Sequence, residues 1–256
     1  MSEKVFEFKA GSMGTGFIFK IADYRSKDHA IHFCKLAMEI IEDANQRFST
    51  YIPDSELNLI NSGQLTIEKA SATQRDIWDK AEEFKALTDG FFDARSPEGL
   101  FDPSGIVKSW AAANAVNFLQ ANGFRRFTLN AGGDVLLSEE LTDSPLTRVG
   151  ISNLESIASE DSFINMVLEL DGTNFRAVAT SGSSERGEHI WRKDQQFSQV
   201  TVVAKDLVVA DVWATTLIAG GQRAIEMLPA NVVAMSVSND GSLKSTPNFF
   251  HLLAKV

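Results

Sequence analysis

Lys4-Val5-Phe6-Glu7-Phe8-Lys9 and Phe17-Ile18-Phe19-Lys20-Ile21-Ala22, with Gly11-Ser12-Met13-Gly14-Thr15-Gly16 between them, decide the fold class. Both flanking runs alternate apolar and polar residues, the period of a half-buried strand. The glycine-rich stretch between them is a turn, so the chain opens on an antiparallel hairpin. From about residue 28 to 48 the period changes: Ala30, Phe33, Cys34, Ala37, Ile40, Ile41, Ala44 and Phe48 mark one face of an amphipathic helix. Cys34 lies on that face and reads as a small buried hydrophobe. A second helix is predicted from Thr73 to Thr88, with Ile77, Ala81, Phe84 and Leu87 inward and Gly90 beyond its end. A third runs from near Pro103 to about Ala121, opened by proline, rich in alanine and followed by Gly123.

Phe127-Thr128-Leu129 reads as a strand interrupted at Gly132-Gly133 and resumed at Val135-Leu136-Leu137. Further strands are predicted at 163–170, 175–180, 199–204, 231–238 and 249–255. A helix pair is predicted over about 208–228, interrupted at Gly220-Gly221. Hairpins and helices are interspersed with no regular βαβα alternation. The pattern predicts an α+β fold of mixed, largely antiparallel sheets with packed helices, as a single domain over residues 1–256.

The 256 residues carry 24 Lys and Arg against 34 Asp and Glu, a net charge of −10. That balance argues against a protein that lives on a nucleic-acid backbone, which needs Lys and Arg. It leaves room for a small phosphorylated ligand in one local pocket. At 44% hydrophobic and 23% charged, the composition is that of a folded globular protein, not a disordered one. One cysteine excludes an internal disulfide and a cysteine-based zinc site. No apolar run reaches the roughly 18 residues of a membrane span. With no export signal or lipobox visible, the expected location is the cytoplasm.

Five segments carry residues that a core would not choose. Gly11 to Gly16 is either a plain hairpin turn or a place where backbone approaches a ligand. In Asp102-Pro103-Ser104-Gly105-Ile106-Val107-Lys108, Asp102 is placed to cap the helix, and Lys108 one turn in suits phosphate. The same letters also make an ordinary turn before a helix. Asn130-Ala131-Gly132-Gly133-Asp134 is either a tight turn or a strand end passing close to a ring or sugar. Thr180-Ser181-Gly182 through His189-Ile190 concentrates hydroxyls, an arginine and a histidine in a polar loop. Asp211 and Thr215 are neighbours on one face of a helix that is otherwise small and apolar. A carboxylate there needs a partner. Mg²⁺ would supply one; alternatively Asp211 caps the helix after Lys205-Asp206.

Together these segments resemble the ApbE-type flavin transferases, FAD:protein FMN transferases. The matching pieces, in family order, are Met13-Gly14-Thr15; Phe48-Ser49-Thr50-Tyr51 with Ser55-Glu56-Leu57 and Asn61; Asp89-Gly90-Phe91-Phe92-Asp93; Asp102 through Lys108; Asn130 through Asp134; Thr180-Ser181-Gly182 through His189-Ile190; and Asp211 through Thr215. The resemblance implies an ApbE-like, T-fold-like α+β fold that binds FAD and Mg²⁺. It implies transfer of FMN to a Thr or Ser hydroxyl of a target flavoprotein through a phosphoester, with release of AMP. By position it implies FAD contacts at Met13, Tyr51, Gly90, Phe91, Phe92, Asp102, Lys108, Ser181, Gly182 and Ile190. It implies a metal site at the Gly105 carbonyl with the side chains of Asp211 and Thr215, and places His189 beside the reacting phosphates. A histidine there suits a general base for the acceptor hydroxyl.

The chain also departs from the family. Only Ala94 to Leu100 separates the Asp-Gly-Phe-Phe-Asp segment from Asp102, as in a short variant. Ser109 stands where the family usually has glycine. After Ile190 the chain reads Trp191-Arg192-Lys193-Asp194-Gln195-Gln196-Phe197 in place of the family's Asp-Pro-x-Thr-Gly. Two other functions stay in view at this stage: FAD pyrophosphatase activity giving FMN and AMP, and FAD binding without turnover. The acceptor is expected to be a separate protein, with no nucleic-acid partner and no membrane insertion.

Overall fold

The computed structural model describes residues 3–152, 164–182 and 196–254. The opening hairpin forms as its alternation predicts. Strand β1 (Lys4–Ser12) pairs antiparallel with β2 (Thr15–Asp23). The turn is Met13-Gly14, at φ of 50° and 67°. Two positive φ values are the sign pattern of a type I′ turn, whose twist suits a two-residue hairpin. Strand β2 pairs next with β3 (Arg126–Ala131), which turns at Gly132-Gly133 into β4 (Asp134–Leu137).

The other strands are β5 (Arg148–Ser152), β6 (Ile164–Glu169), β7 (Ala177–Gly182), β8 (Phe197–Ala204), β9 (Val233–Ser238) and β10 (Leu243–Ser245). Among the described residues, eight of them build one sheet in the order β1-β2-β3-β4-β7-β8-β9-β10, every pair antiparallel. Strands β5 and β6 form a separate two-stranded sheet.

The helices are α1 (Lys27–Phe48), α2 (Glu56–Asn61), α3 (Ala72–Leu87), α4 (Ser104–Ala121) and α5 (Leu207–Ile225). Serine or aspartate caps four of them: Ser26, Ser55, Ser71 and Asp206 accept from His29, Asn58, Gln74 and Val209 backbone N–H groups. Alternation along the strands sends neighbours to opposite faces of the large sheet. One face gives Phe17, Phe19, Phe127, Leu129, Ala179 and Val202 to a core shared with α1, α4 and α5. The other gives Val178, Val203, Val233 and Met235 to a smaller core closed by Val149, Ile151, Leu168, Phe249 and Leu252. Helix α5 is buried along nearly its whole length. It breaks at Gly221, whose φ of 56° and ψ of −139° are not helical.

Two sequence expectations change. Asp102 does not cap α4: the cap position is Pro103, and Asp102 instead takes the Ser104 N–H (3.0 Å) and hydroxyl from one residue further out. Proline has no side-chain acceptor, so the carboxylate before it anchors the first turn. The described part of the predicted last strand, residues 249–254, is not a strand: Phe249–Leu252 is a 3₁₀ turn that buries Phe249 and Leu252 together, and Leu253 bridges to Leu168. Helix α2 and the strands β5 and β10 had no clear periodic signal, being only a few residues long.

Cys34 is 2% exposed, and burial pushes its thiol up to about 12. It is therefore a thiol at neutral pH, without the thiolate that reacts. A thiol reagent should leave native protein unlabelled and modify Cys34 only as urea unfolds the chain, in step with the loss of circular dichroism.

Candidate active site

The anomaly in α5 is Asp211, a carboxylate 6% exposed inside the most buried helix of the fold. Asp206 already caps α5, so capping does not explain Asp211. Its Oδ2 is enclosed and has no hydrogen-bond partner among the described residues. Among the described residues the nearest counter-charge is the Lys108 ammonium on α4, 3.9 Å from Oδ2. Lys108 makes a direct contact with Asp134 Oδ2 at the start of β4. Asp134 is itself buried, and its Oδ1 accepts the Thr180 N–H of β7 at 3.1 Å. One carboxylate thus joins α4, β4 and β7. Thr215 is one helical turn after Asp211, and its Oγ1 lies 3.5 Å from Ser181 Oγ. Lys108, Asp134, Ser181, Asp211 and Thr215 converge where the ends of β4 and β7 meet the facing sides of α4 and α5.

Burial pushes the Asp211 carboxyl up to about 7. The Lys108 charge opposes that shift, the nearby Asp134 charge adds to it, and the Ser109 hydroxyl opposes it. Desolvation wins because, among the described residues, no cation comes within hydrogen-bond distance of the carboxylate.

Gly105 sits on α4 one turn before Lys108 and Ser109, the two α4 residues that act on Asp211. A side chain at Gly105 would press on Phe92, whose ring would lie 3.1 Å from the added carbon. Gly220 is tighter still: an added carbon would stand 2.8 Å from the Phe91 ring. Phe91 and Phe92 therefore wedge between the start of α4 and the break in α5. They are delivered by a reversal after α3, where Asp89 and Gly90 take φ of 50° and 72°. Buried Thr88 holds that reversal, its hydroxyl bonding Phe84 O (2.8 Å) and the Phe92 N–H (3.1 Å). Phe92 is 4% exposed and packs in the core, whereas Phe91 and Gly90 are half-buried.

The two hairpin turns lie side by side at the same end of the sheet. Gly132 N donates to Gly16 O at 2.8 Å. A side chain on Gly132 would collide with Thr15. Half-buried Met13 lies in the β1–β2 turn, two residues before Thr15. Tyr51 is 93% exposed on the loop between α1 and α2. Asn58 braces that loop, donating to Ile52 O (2.7 Å) and Thr50 O (3.1 Å). Glu56 accepts from the Ser71 N–H and hydroxyl and from Arg47. Burial works against its charge, but those hydrogen bonds and the arginine prevail and hold its carboxyl below the usual range. Asn61 then pairs with both backbone groups of Phe101 at 2.9 Å, fixing the approach to Asp102 and α4.

The sequence-predicted residues thus fall into two groups. Lys108, Ser181, Asp211 and Thr215 meet directly, with Gly105 one helical turn away. Met13, Tyr51, Gly90, Phe91 and Asp102 lie on turns and loops that the hydrogen bonds above fix in place. Gly182 is buried at the end of β7. His189 and Ile190 lie outside the described residues. Asp134 enters the sequence reading only within the Asn130-to-Asp134 segment, with no role of its own. Its signal was an aspartate immediately after a strand-ending Gly-Gly pair and before an apolar strand.

The site is thus a lysine between two buried carboxylates, at the end of an antiparallel sheet backed by α4 and α5. The ApbE family model matches residues 13–98 and 94–236. The chain belongs to the ApbE family. Its fold is similar to that of the flavin transferase ApbE from Vibrio cholerae, with a TM-score of 0.75 at 20% identity over 98% of this chain and 100% of that one. It is likewise similar to the apo form of the Pseudomonas stutzeri flavinyl transferase ApbE (TM-score 0.77, 17% identity, 99% of each chain). The ApbE protein of Thermotoga maritima gives a TM-score of 0.76 at 15% identity over 98% of this chain and 100% of that one. No curated protein sequence matches this chain.

Two outcomes follow from this geometry. Gly132→Ala should destabilise the protein by about 1–3 kcal/mol in urea unfolding, because φ of 65° and Thr15 both oppose a side chain. Adding Thr15→Ala should recover part of that loss. For Asp211, burial pushes the folded carboxyl up to about 7 from the ordinary 3.8. Between those values the unfolded chain holds fewer protons, so stability falls as pH rises through the window. In EDTA, Asp211→Asn should flatten that decline and exceed wild type by roughly 1–3 kcal/mol at pH 8, with little difference near pH 4.

Proposed function

We propose that this chain is a flavin transferase that splits FAD and moves FMN onto a Thr or Ser hydroxyl of a target flavoprotein, with Mg²⁺ bound and AMP released. Family membership supports the general activity. The observation that carries the chemistry is Asp211 Oδ2, a buried carboxylate oxygen with no hydrogen-bond partner, one helical turn from the Thr215 hydroxyl. An all-oxygen set of one carboxylate, one hydroxyl and the Gly105 carbonyl fits Mg²⁺, which keeps its remaining positions for water and phosphate oxygens. No cluster of three or more His, Cys, Asp or Glu suited to a metal occurs among the described residues, so softer or protein-caged metals fit less well. When bound, the ion would neutralise charge on the diphosphate.

The chain's own residues do the rest. Lys108 holds a positive charge at a fixed point beside the phosphate position, which is most of what phosphoryl transfer asks of a protein. The Ser181 hydroxyl, 3.5 Å from Thr215, and the backbone at Gly182 line the same corner. Tyr51 offers an exposed ring on a braced loop, suited to stacking on a flat ligand ring. Met13, Gly90, Phe91 and Ile190 would complete the flavin and nucleotide contacts. Phe92 and Asp102 contribute by shaping the walls, since both are spent on internal packing or hydrogen bonds. His189 would take the proton of the acceptor hydroxyl. The acceptor oxygen then bonds to the FMN phosphorus, and the bond to the bridging oxygen breaks so that AMP leaves with it.

The test is incubation with FAD, Mg²⁺ and acceptor flavoproteins, reading AMP by chromatography and flavin fluorescence on the acceptor in denaturing gels. EDTA should abolish both signals, and Asp211→Ala should lower the rate by about 10²-fold or more. FMN and AMP in the absence of any acceptor would mark a pyrophosphatase. Bound FAD with no product over hours would overturn catalysis altogether.

A further inference from the structure

The position of the Lys108 ammonium is the feature that the proposed reaction does not explain. It stands 3.9 Å from Asp211 Oδ2, too far for a hydrogen bond, while that oxygen is buried without one. At that separation a cation and an ionised carboxylate still attract each other. A flexible lysine stem would ordinarily close the gap and satisfy the carboxylate. What stands against this is Asp134, which contacts the ammonium directly and cannot easily yield. Its Oδ1 is tied to the Thr180 N–H at 3.1 Å, and its backbone follows the Gly132-Gly133 turn that is locked onto Gly16 and Thr15.

We propose that Asp134 is a positioning residue: its carboxylate holds Lys108 off Asp211 and so keeps Asp211 Oδ2 open to a divalent cation. The inference rests on the reading that Asp211 is a metal ligand, and deepens it. Without the restraint Lys108 would fill the cation's place with its own ammonium. Charge balance points the same way. Among the described residues, the two carboxylates, once both are ionised, and the one ammonium sum to −1, and a divalent ion would turn that to +1, the sign a diphosphate needs. Asp134 would thus reserve the cation position in the metal-free protein while keeping Lys108 beside it.

The experiment is direct Mn²⁺ binding, read as loss of the free-ion electron paramagnetic resonance signal in the absence of FAD. It compares wild type, Asp134→Asn, Lys108→Met and the double variant. Asparagine keeps an acceptor for the Thr180 N–H and removes only the charge that grips the lysine. Asp134→Asn should weaken Mn²⁺ binding by about 10-fold or more, the scale of losses when a ligand's supporting residues are altered. Lys108→Met should bind Mn²⁺ no more weakly than wild type. The double variant should match Lys108→Met within about twofold, because with no lysine there is nothing to restrain.

Unchanged affinity in Asp134→Asn would overturn the inference. So would a double variant weaker than Lys108→Met by the full Asp134→Asn factor, which would mean that Asp134 acts only as a nearby charge or a structural support. Thermal melts check that each variant is folded. If Asp134→Asn is not, Lys108→Met decides alone: weaker Mn²⁺ binding there overturns the proposal, because Lys108 would be assisting the site instead of being held from it. Wild type that binds no Mn²⁺ overturns the metal reading itself, and the inference with it.

Discussion

One ammonium between two buried carboxylates is the constraint around which the rest of the molecule is arranged. Lys108 contacts Asp134 and stands 3.9 Å from Asp211. Taking such charges out of water carries a penalty of several kcal/mol each, recovered only where partners are close and well directed. The recovery here is incomplete: Asp134 has two donors, and Asp211 Oδ2 has none. Most of the residues around Asp211 in that helix are apolar and buried, so its carboxylate is the costly member of the helix.

The scaffold holds that arrangement by close approach. Gly132 lets one hairpin turn lie against Thr15 of the other, and Gly105 and Gly220 give room to Phe92 and Phe91. These contacts set α4, α5 and the end of the sheet at one spacing. Alanines at 111, 112 and 115 let α4 lie deep in the same core. Serine and asparagine hydrogen bonds do equivalent service for the loop that carries Tyr51. The polar corner is therefore built on packed elements, which is what keeps a lysine and two carboxylates at defined separations.

Much of this was legible in the chain. The alternation at residues 4–9 and 17–22 gave the hairpin, and the amphipathic run near 28–48 gave α1, because burial of one face imposes a period. The helix break at Gly220-Gly221 was read from its glycines. The capping role of Asp102 was misread because proline took the cap position, and residues 249–255 were misread because an apolar run does not distinguish a strand from a short buried turn. The pairing of β4 with β7, and the small β5–β6 sheet, join residues distant in sequence, which no local period records.

For the site, the residue types and their order were enough to place the chain in the ApbE family and to draw attention to Lys108, Asp211 and Thr215. Asp134 passed with no role of its own, since nothing local reveals that its two oxygens reach α4 and β7. By itself the sequence determined the elements, the inward faces and the chemistry on offer, because propensity, period and capping act over a few residues. Only the tertiary structure decided which charges meet, that Lys108 sides with Asp134, and that Asp211 keeps an unpaired oxygen. Those are matters of distance between elements remote in sequence, and of dielectric, which exists only once the core has closed.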